Sequence, residues 1–313
     1  MAYTRRQALR QIGAAGLVWS AAPALSQACE LAAPLAFGFS LYGMKTVPVP
    51  RALKVCADIG YSGVELVCLK DWPCDPSTLT RDERKDFREQ LVEHALDLPA
   101  LMENLALVAP ENVHAENLDR LKRAAELAHD LGGDTPPLIE TVLGGKPDLW
   151  PQNREVMVER LRDWEDVAAK SRVVIAIKPH ISGTLHRPDD CAWLVQQVRS
   201  RWIKAVFDYS HYQRQGLALK ECVQPLIGEA VFVHIKDNVT VDGKTEFALP
   251  GDGDIDYPAY LQLLKQHGYR GPVVVEVSAQ VFNKPGYNPL LAAEKCYEKL
   301  HRAFEQAGAR ARV

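Results

Sequence analysis

Short apolar runs and longer amphipathic stretches alternate along most of the chain. Past residue 35, eight β-branched or apolar runs stand out, at 35–44, 63–69, 98–105, 137–143, 173–180, 204–211, 231–237 and 273–278. Between most of them the apolar positions recur with a helical period. Within 154–170, Met157, Leu161, Trp164 and Ala168 fall four, three and four residues apart, on one face of a helix. Within 257–268 the apolar residues are Leu261, Leu263 and Leu264. Continuous apolar strands separated by helices predict a parallel sheet with both faces covered. Eight such units in roughly 280 residues match a closed (β/α)8 barrel, whose usual length is ~250 residues. The open, doubly wound alternative carries a Gly-rich phosphate turn after its first strand, and no such turn is present. The predicted fold class is α/β, a single-domain (β/α)8 TIM barrel.

The first residues break this pattern. Thr4-Arg5-Arg6-Gln7-Ala8-Leu9-Arg10 is followed by the uncharged stretch 12–25 and then by Ser26-Gln27-Ala28. A basic start, an apolar run too short to span a bilayer comfortably and small residues at the end compose an export signal. The paired arginines resemble a twin-arginine signal, with Ala8 where such signals often carry Phe. Residues 1–28 are therefore expected to be a signal peptide and 29–313 the barrel, exported to the periplasm without stable membrane association. An amphipathic first helix of the mature fold is the plainer alternative.

Composition adds exclusions. Of 313 residues, 47% are hydrophobic and 25% charged, as in ordinary globular domains. Lys plus Arg number 37 against 40 Asp plus Glu, which lacks the basic excess of a nucleic-acid binder. The expected partner is a small carbohydrate, with a homo-oligomer also open. The seven cysteines form no CxxC pair or zinc-finger spacing, although Cys68 and Cys74 are near enough in sequence to bridge a loop in an oxidising compartment.

Chemistry in such a barrel sits at the C-terminal ends of the strands. Polar residues gather there: Glu65, then Glu103 and Asn104, Glu140 and Thr141, Lys178 and His180, Asp208 and His211, His234, Lys236 and Asp237, and finally Glu276 and Ser278. Singly, Asp208 reads as a helix cap, His234 as a core histidine and Glu276 as a lysine partner. As a trio on three successive strands, a carboxylate, an imidazole and a carboxylate suit a divalent ion such as Mn, Mg, Zn or Co.

Four segments carry a resemblance. Phe207-Asp208-Tyr209-Ser210-His211, Val233-His234-Ile235-Lys236-Asp237, Leu249-Pro250-Gly251-Asp252-Gly253-Asp254-Ile255-Asp256 and Gly271-Pro272-Val273-Val274-Val275-Glu276-Val277 resemble the sugar phosphate isomerase/epimerase family of xylose-isomerase-like barrels. The similarity covers nearly all of the chain after residue 35. It implies that Asp208, His234 and Glu276 bind metal and that His211 contacts substrate. Relatives end the fifth strand with a metal-binding glutamate, where this chain has Lys178. His180, on the same side two residues on, or Glu140, one strand earlier, could complete the shell. Glu140 is preferred because it restores a carboxylate-rich site, giving one divalent ion on Glu140, Asp208, His234 and Glu276. Beside a cation and partly out of water, Lys178 is expected to have a lowered pKa and to act with Glu276 and His180 in catalysis. A salt bridge between Lys178 and Glu140 in a site without metal is the bland alternative. Substrate contacts are expected from His211, Lys236, Glu103 and Trp150, Lys236 holding an oxyanion and Trp150 stacking on a sugar ring.

The implied activity is isomerisation or epimerisation of a non-phosphorylated sugar or keto-sugar by proton abstraction next to a carbonyl. Alternatives are a lyase or dehydratase acting on a keto-sugar or keto-glycoside, and an inert carbohydrate-binding barrel. Export argues against phosphorylated substrates, which are mostly cytoplasmic. The signal reading has a direct test. Arg5→Lys with Arg6→Lys is expected to hold the chain in the cytoplasm as the full-length precursor, seen by cell fractionation; processed protein in the periplasm would refute a twin-arginine signal.

Overall fold

A computed structural model of the protein describes residues 35–308. The expected signal at 1–28, and Cys29, lie outside the described residues. The strands are β1 (Phe37–Ser40), β2 (Gly63–Val67), β3 (Asp97–Asn104), β4 (Leu138–Val142), β5 (Ile175–Lys178), β6 (Ile203–Phe207), β7 (Ala230–Ile235), β8 (Asp237–Val241), β9 (Lys244–Ala248) and β10 (Val273–Val275). Helices α1 (Val49–Ile59), α2 (Arg81–Glu93), α3 (Glu111–Gly132), α4 (Trp150–Ser171), α5 (Pro188–Val198), α6 (Tyr209–Gln213), α7 (Leu219–Leu226), α8 (Tyr257–Gln266), α9 (Ala279–Phe282) and α10 (Pro289–Gln306) lie between and after them. Eight strands close a parallel barrel in the order β1-β10-β7-β6-β5-β4-β3-β2, and β8 and β9 form a separate two-stranded sheet. The expected (β/α)8 barrel is the observed fold. No helix among the described residues is long and apolar enough to cross a membrane.

The helices cover the barrel as their periodicity predicts. Helix α4 buries Met157, Val158, Leu161, Trp164 and Ala168, and α8 buries Leu261 and Leu264. Strands β2 and β3 approach closely at Gly63. A Cβ on Gly63 would stand 2.9 Å from the carbonyl oxygen of Asp97, so no larger residue fits there without moving the β3 backbone.

Inside the barrel the side chains form layers. Ala100, Ala176, Val206, Phe232 and Val274 make a small apolar cluster separate from the main core, with Leu138 packed against it. Alternate residues of a strand face the same side. Two residues beyond these positions stand Lys178, Asp208, His234, Glu276 and Glu140, all buried. The pleat thus lifts a polar layer directly above an apolar floor, at the strands' C-terminal ends. Ring packing joins the layers, with Phe232 edge-on to His234 at a centroid distance of 4.8 Å.

Strand ends differ from the sequence expectation in two places. Strand β6 stops at Phe207; Asp208 caps α6, accepting from the Ser210 amide at 3.2 Å, and His211 lies on that helix rather than at the strand end. Past β7 the chain turns into the β8–β9 hairpin, with Asp242 (φ 50°) and Gly243 (φ 73°) at its tip. An Asp-Gly pair with both φ positive is the usual two-residue hairpin turn. It was readable in the sequence, but a hairpin inside a βα loop interrupts the alternation on which the barrel reading rests. Cys68 and Cys74 are buried free thiols rather than a disulfide, like the other cysteines among the described residues.

At the root of the hairpin, Asp237 organises the next loop. Its Oδ2 accepts from the amides of Gly251 and Gly253, both at 3.0 Å, and its Oδ1 from those of Asn238 at 2.9 Å and Ile255 at 3.3 Å. A Cβ on Gly253 would lie 2.2 Å from both Asp237 Oδ1 and the Asn238 carbonyl, so the clamp closes only on glycine. Asp237→Ala strands these amides and is expected to lower the unfolding free energy by roughly 3 kcal/mol. Urea unfolding checks this, and a loss below about 0.5 kcal/mol, the range of neutral surface changes, would mean that the loop is held by other contacts.

Candidate active site

A cavity of about 500 Å³ opens at the C-terminal mouth of the barrel. Lys178, Glu276, Lys236, Glu140, His180, His211 and Glu103 line it, with Tyr42, Arg214 and Phe247 among the rim residues. Asp208, His234 and Glu65 are not on its surface but are fully buried against it.

One cation lies at the centre. The Lys178 ammonium donates to Glu276 Oε2, and Nζ stands 2.7 Å from His234 Nδ1 and 3.5 Å from Asp208 Oδ2. Behind it, His234 Nε2 meets Glu65 Oε2 at 2.9 Å. A second ammonium, Lys236 Nζ, lies 2.7 Å from Glu276 Oε1, 3.5 Å from Asp208 Oδ2 and 3.4 Å from His211 Nε2. Asp208 Oδ2 therefore has three nitrogens within 3.5 Å and a hydrogen bond from none of them.

These contacts decide the charges. Burial alone would drive the proton off Lys178, but Glu276, Glu140 and Asp208 outweigh it and raise the pKa. The expected lowering is therefore reversed: the acidic groups around Lys178 favour its ammonium form. Glu276 is buried, which favours its acid form, yet Lys178, Lys236 and His234 hold it well below the carboxylate range. Asp208 is lowered too, against burial, by His211, Lys236 and Lys178. Burial pushes Glu140 up to about 8, Lys178 opposing, and Glu140 Oε2 has no hydrogen-bond partner. Glu103 rises with burial to about 7, although Arg120 donates to it at 2.7 Å. His180 falls to about 4 through burial and then the two lysines. Its Nδ1 accepts from the Ser182 amide at 3.2 Å, which leaves the proton of the neutral ring on Nε2. Burial resists a charge on His234, but Glu65 and Glu276 lift it to about 9. Its Nε2 faces Glu65, and its Nδ1 stands 3.0 Å from Glu276 Oε2 and 2.7 Å from the Lys178 ammonium.

Two groups of side chains are close enough to hold a metal ion: Asp208, His234 and Glu276, and Glu65, Glu140 and His234. His234 belongs to both groups. Glu140 falls in the second group, with Glu65, which the sequence reading placed at a strand end and gave no role. The first group has ligand chemistry suited to a divalent ion, but the Lys178 ammonium already fills its centre. An ion fits there only if Lys178 leaves. The expected Lys178–Glu140 salt bridge is absent among the described residues; Lys178 pairs with Glu276.

Other expected contacts divide. His180, His211, Lys236 and Glu103 reach the cavity, whereas Trp150 is not in its lining and packs edge-on against Trp193 at 5.8 Å. Phe247 and Arg214 were missed; Arg214 stacks on Phe247 at 4.4 Å. Phe247 lies on the hairpin and Arg214 just past α6, so no strand-end pattern marks them.

A closed (β/α)8 barrel with ionisable groups converging on its C-terminal mouth has the architecture of a barrel enzyme. Residues 53–303 match the xylose isomerase-like TIM barrel family, and the chain belongs to it. An inosose dehydratase of Mesomycoplasma hyopneumoniae (strain 7448) is 22% identical over 285 residues, covering 80% of this chain and 87% of that protein. Among solved structures, the 3-keto-D-glucoside 4-epimerase YcjR of E. coli superposes with a TM-score of 0.68 at 16% identity, covering 86% of this chain and 99% of that one. The IOLI protein, with a bound zinc atom, superposes at 0.74 with 19% identity, covering 87% and 99%. These relatives are enzymes or share the barrel, and the named activities are epimerisation and dehydration.

The buried acid gives a pH test. Glu140 has a raised pKa in the folded protein, so its contribution is complete below the unfolded carboxylate pKa near ~4.3 and is lost as pH rises towards about 8. Glu140→Gln, which stays neutral, is expected to gain stability relative to wild type between pH 5 and 8 in urea unfolding. A difference that does not change with pH would mean that Glu140 is ionised in the folded protein.

Proposed function

We propose that the chain is a sugar isomerase or epimerase acting on a non-phosphorylated sugar or keto-sugar by proton transfer next to a carbonyl. The observation that carries this is a pair of cavity carboxylates pushed in opposite directions: Glu276 ionised, Glu140 protonated. Environments that separate two carboxyl groups in this way mark an acid and a base. In this reading the carbonyl oxygen accepts a bond from Lys236, which polarises it and stabilises the enolate. Lys236 then gives up its bond to Glu276 Oε1, and the freed carboxylate becomes more basic as the proton on carbon becomes more acidic. Glu276 takes that proton, Glu140 returns one on another face or carbon, and the His180 Nε2–H donates to a neighbouring hydroxyl.

The same pair supports elimination as a second reading, favoured by the dehydratase relative. Glu140 would then protonate a departing β-hydroxyl. The divalent ion expected from the sequence competes with Lys178 for the same ligand atoms, and no step here draws on it. The export signal expected at 1–28 supports a substrate without phosphate.

Proton NMR in D2O with a panel of keto-sugars tests the reading. Deuterium is expected next to the carbonyl, with a rearranged sugar for an epimerase or a dehydrated one for a lyase. Glu276→Gln and Glu140→Gln are each expected to cut kcat by about 10²–10⁴. Binding of a keto-sugar without exchange or turnover would identify an inert carbohydrate-binding barrel.

A further inference from the structure

A divalent ion and an ε-ammonium make similar demands on a buried site. Each needs several lone pairs around a positive centre and a negative surround to offset the lost water. Lys178 meets these demands where the family resemblance places a metal-binding glutamate. A carboxylate ligand and a doubly charged ion together carry a single positive charge. One ammonium carries the same charge, so the change leaves the net charge of the site unaltered.

The geometry agrees with the charge. An ammonium has three hydrogens to donate, and three of the four expected metal ligands surround Nζ: Glu276 Oε2 in an ion pair, His234 Nδ1 at 2.7 Å and Asp208 Oδ2 at 3.5 Å. His234 is held as a metal-bound histidine is held, one nitrogen facing the cation and the other hydrogen-bonded to a carboxylate, Glu65 Oε2 at 2.9 Å. Lys178 is 2% exposed, and Ala176 below it belongs to the apolar floor, so the side chain stands upright into the layer. An ion within reach of the same three ligand atoms would lie against the ammonium, with strong repulsion in a region of low dielectric.

We propose that Lys178 is the resident cation of this site, joining Asp208, His234 and Glu276 in place of a divalent metal ion. Lys178 is then a positioning residue. It holds Glu276 in place and leaves the substrate oxygen to Lys236. The claim about metal stands on the site alone; its consequence, catalysis indifferent to chelator, rests on the proton-transfer reading above.

The test uses the full chain, stripped with EDTA and titrated separately with Zn2+ and Mn2+ by calorimetry, with elemental analysis of the protein as purified. Wild type is expected to hold no stoichiometric metal. Lys178→Glu is expected to take up one equivalent, roughly 100-fold or more tighter than wild type, with an unchanged circular dichroism spectrum. Should the glutamate variant not fold, Lys178→Gln removes the charge at similar length and is expected to bind metal more tightly than wild type. One equivalent in the wild-type chain, lost in His234→Ala, would overturn the proposal. A folded Lys178 variant with no gain in metal affinity would overturn it as well, because the lysine would then not be what excludes the ion. Neither readout needs a substrate, so the result is separable from the fate of the proposed reaction.

Discussion

The placement of charge without water governs the upper half of this barrel. Lys178, Asp208, His234 and Glu276 are each almost fully buried, and removing any one leaves its partners uncompensated. Breaking such a pair costs several kcal/mol because the desolvation penalty of the survivor remains. The alternation of signs is therefore a condition of folding as much as of chemistry. Glu276 is ionised because two lysines reach it, and Lys178 is charged because Glu276 and Asp208 lie against it.

The layered interior makes this arrangement possible. Five apolar side chains fill the lower barrel and exclude water, and the period of the strand sets the polar groups one pleat above them. Placed one residue earlier or later, the same side chains would face the helices. Precision comes from the strand register, while the cavity rim is built by loops and the hairpin. The groups with the most perturbed proton affinities stand on the rigid part, as an enzyme that relies on fixed charges requires.

Much of this was legible in the sequence. The eight runs and the residues at their ends mapped onto barrel strands because apolar continuity and period are properties of local sequence. Asp208, His234 and Glu276 were legible as a cluster because parallel strands bring like ends together. What was not legible depended on which neighbour lay nearest. The direction of the Lys178 shift turned on Asp208 and Glu276, just past the ends of β6 and β10, at distances that no spacing reveals. Glu140 was placed at the right end of the barrel, but its nearness to Glu65 could not be read from spacing. Trp150 begins a helix whose face turns to Trp193, and a tryptophan near a loop end carries no signal that distinguishes that from a cavity wall.

The hairpin follows β7 directly, at the link between Lys236 and Asp237. One of these side chains faces the cavity and the other clamps the backbone at 251–255. Lys236 and the hairpin rim, with Phe247, therefore line the cavity from one continuous segment. Loop exchange is the usual way to give a barrel of this kind a new specificity. In this chain the graft points lie beyond the clamp, at the hairpin tip around Asp242-Gly243, because a splice at its base would disturb the Asp237 contacts beside a cavity-lining lysine.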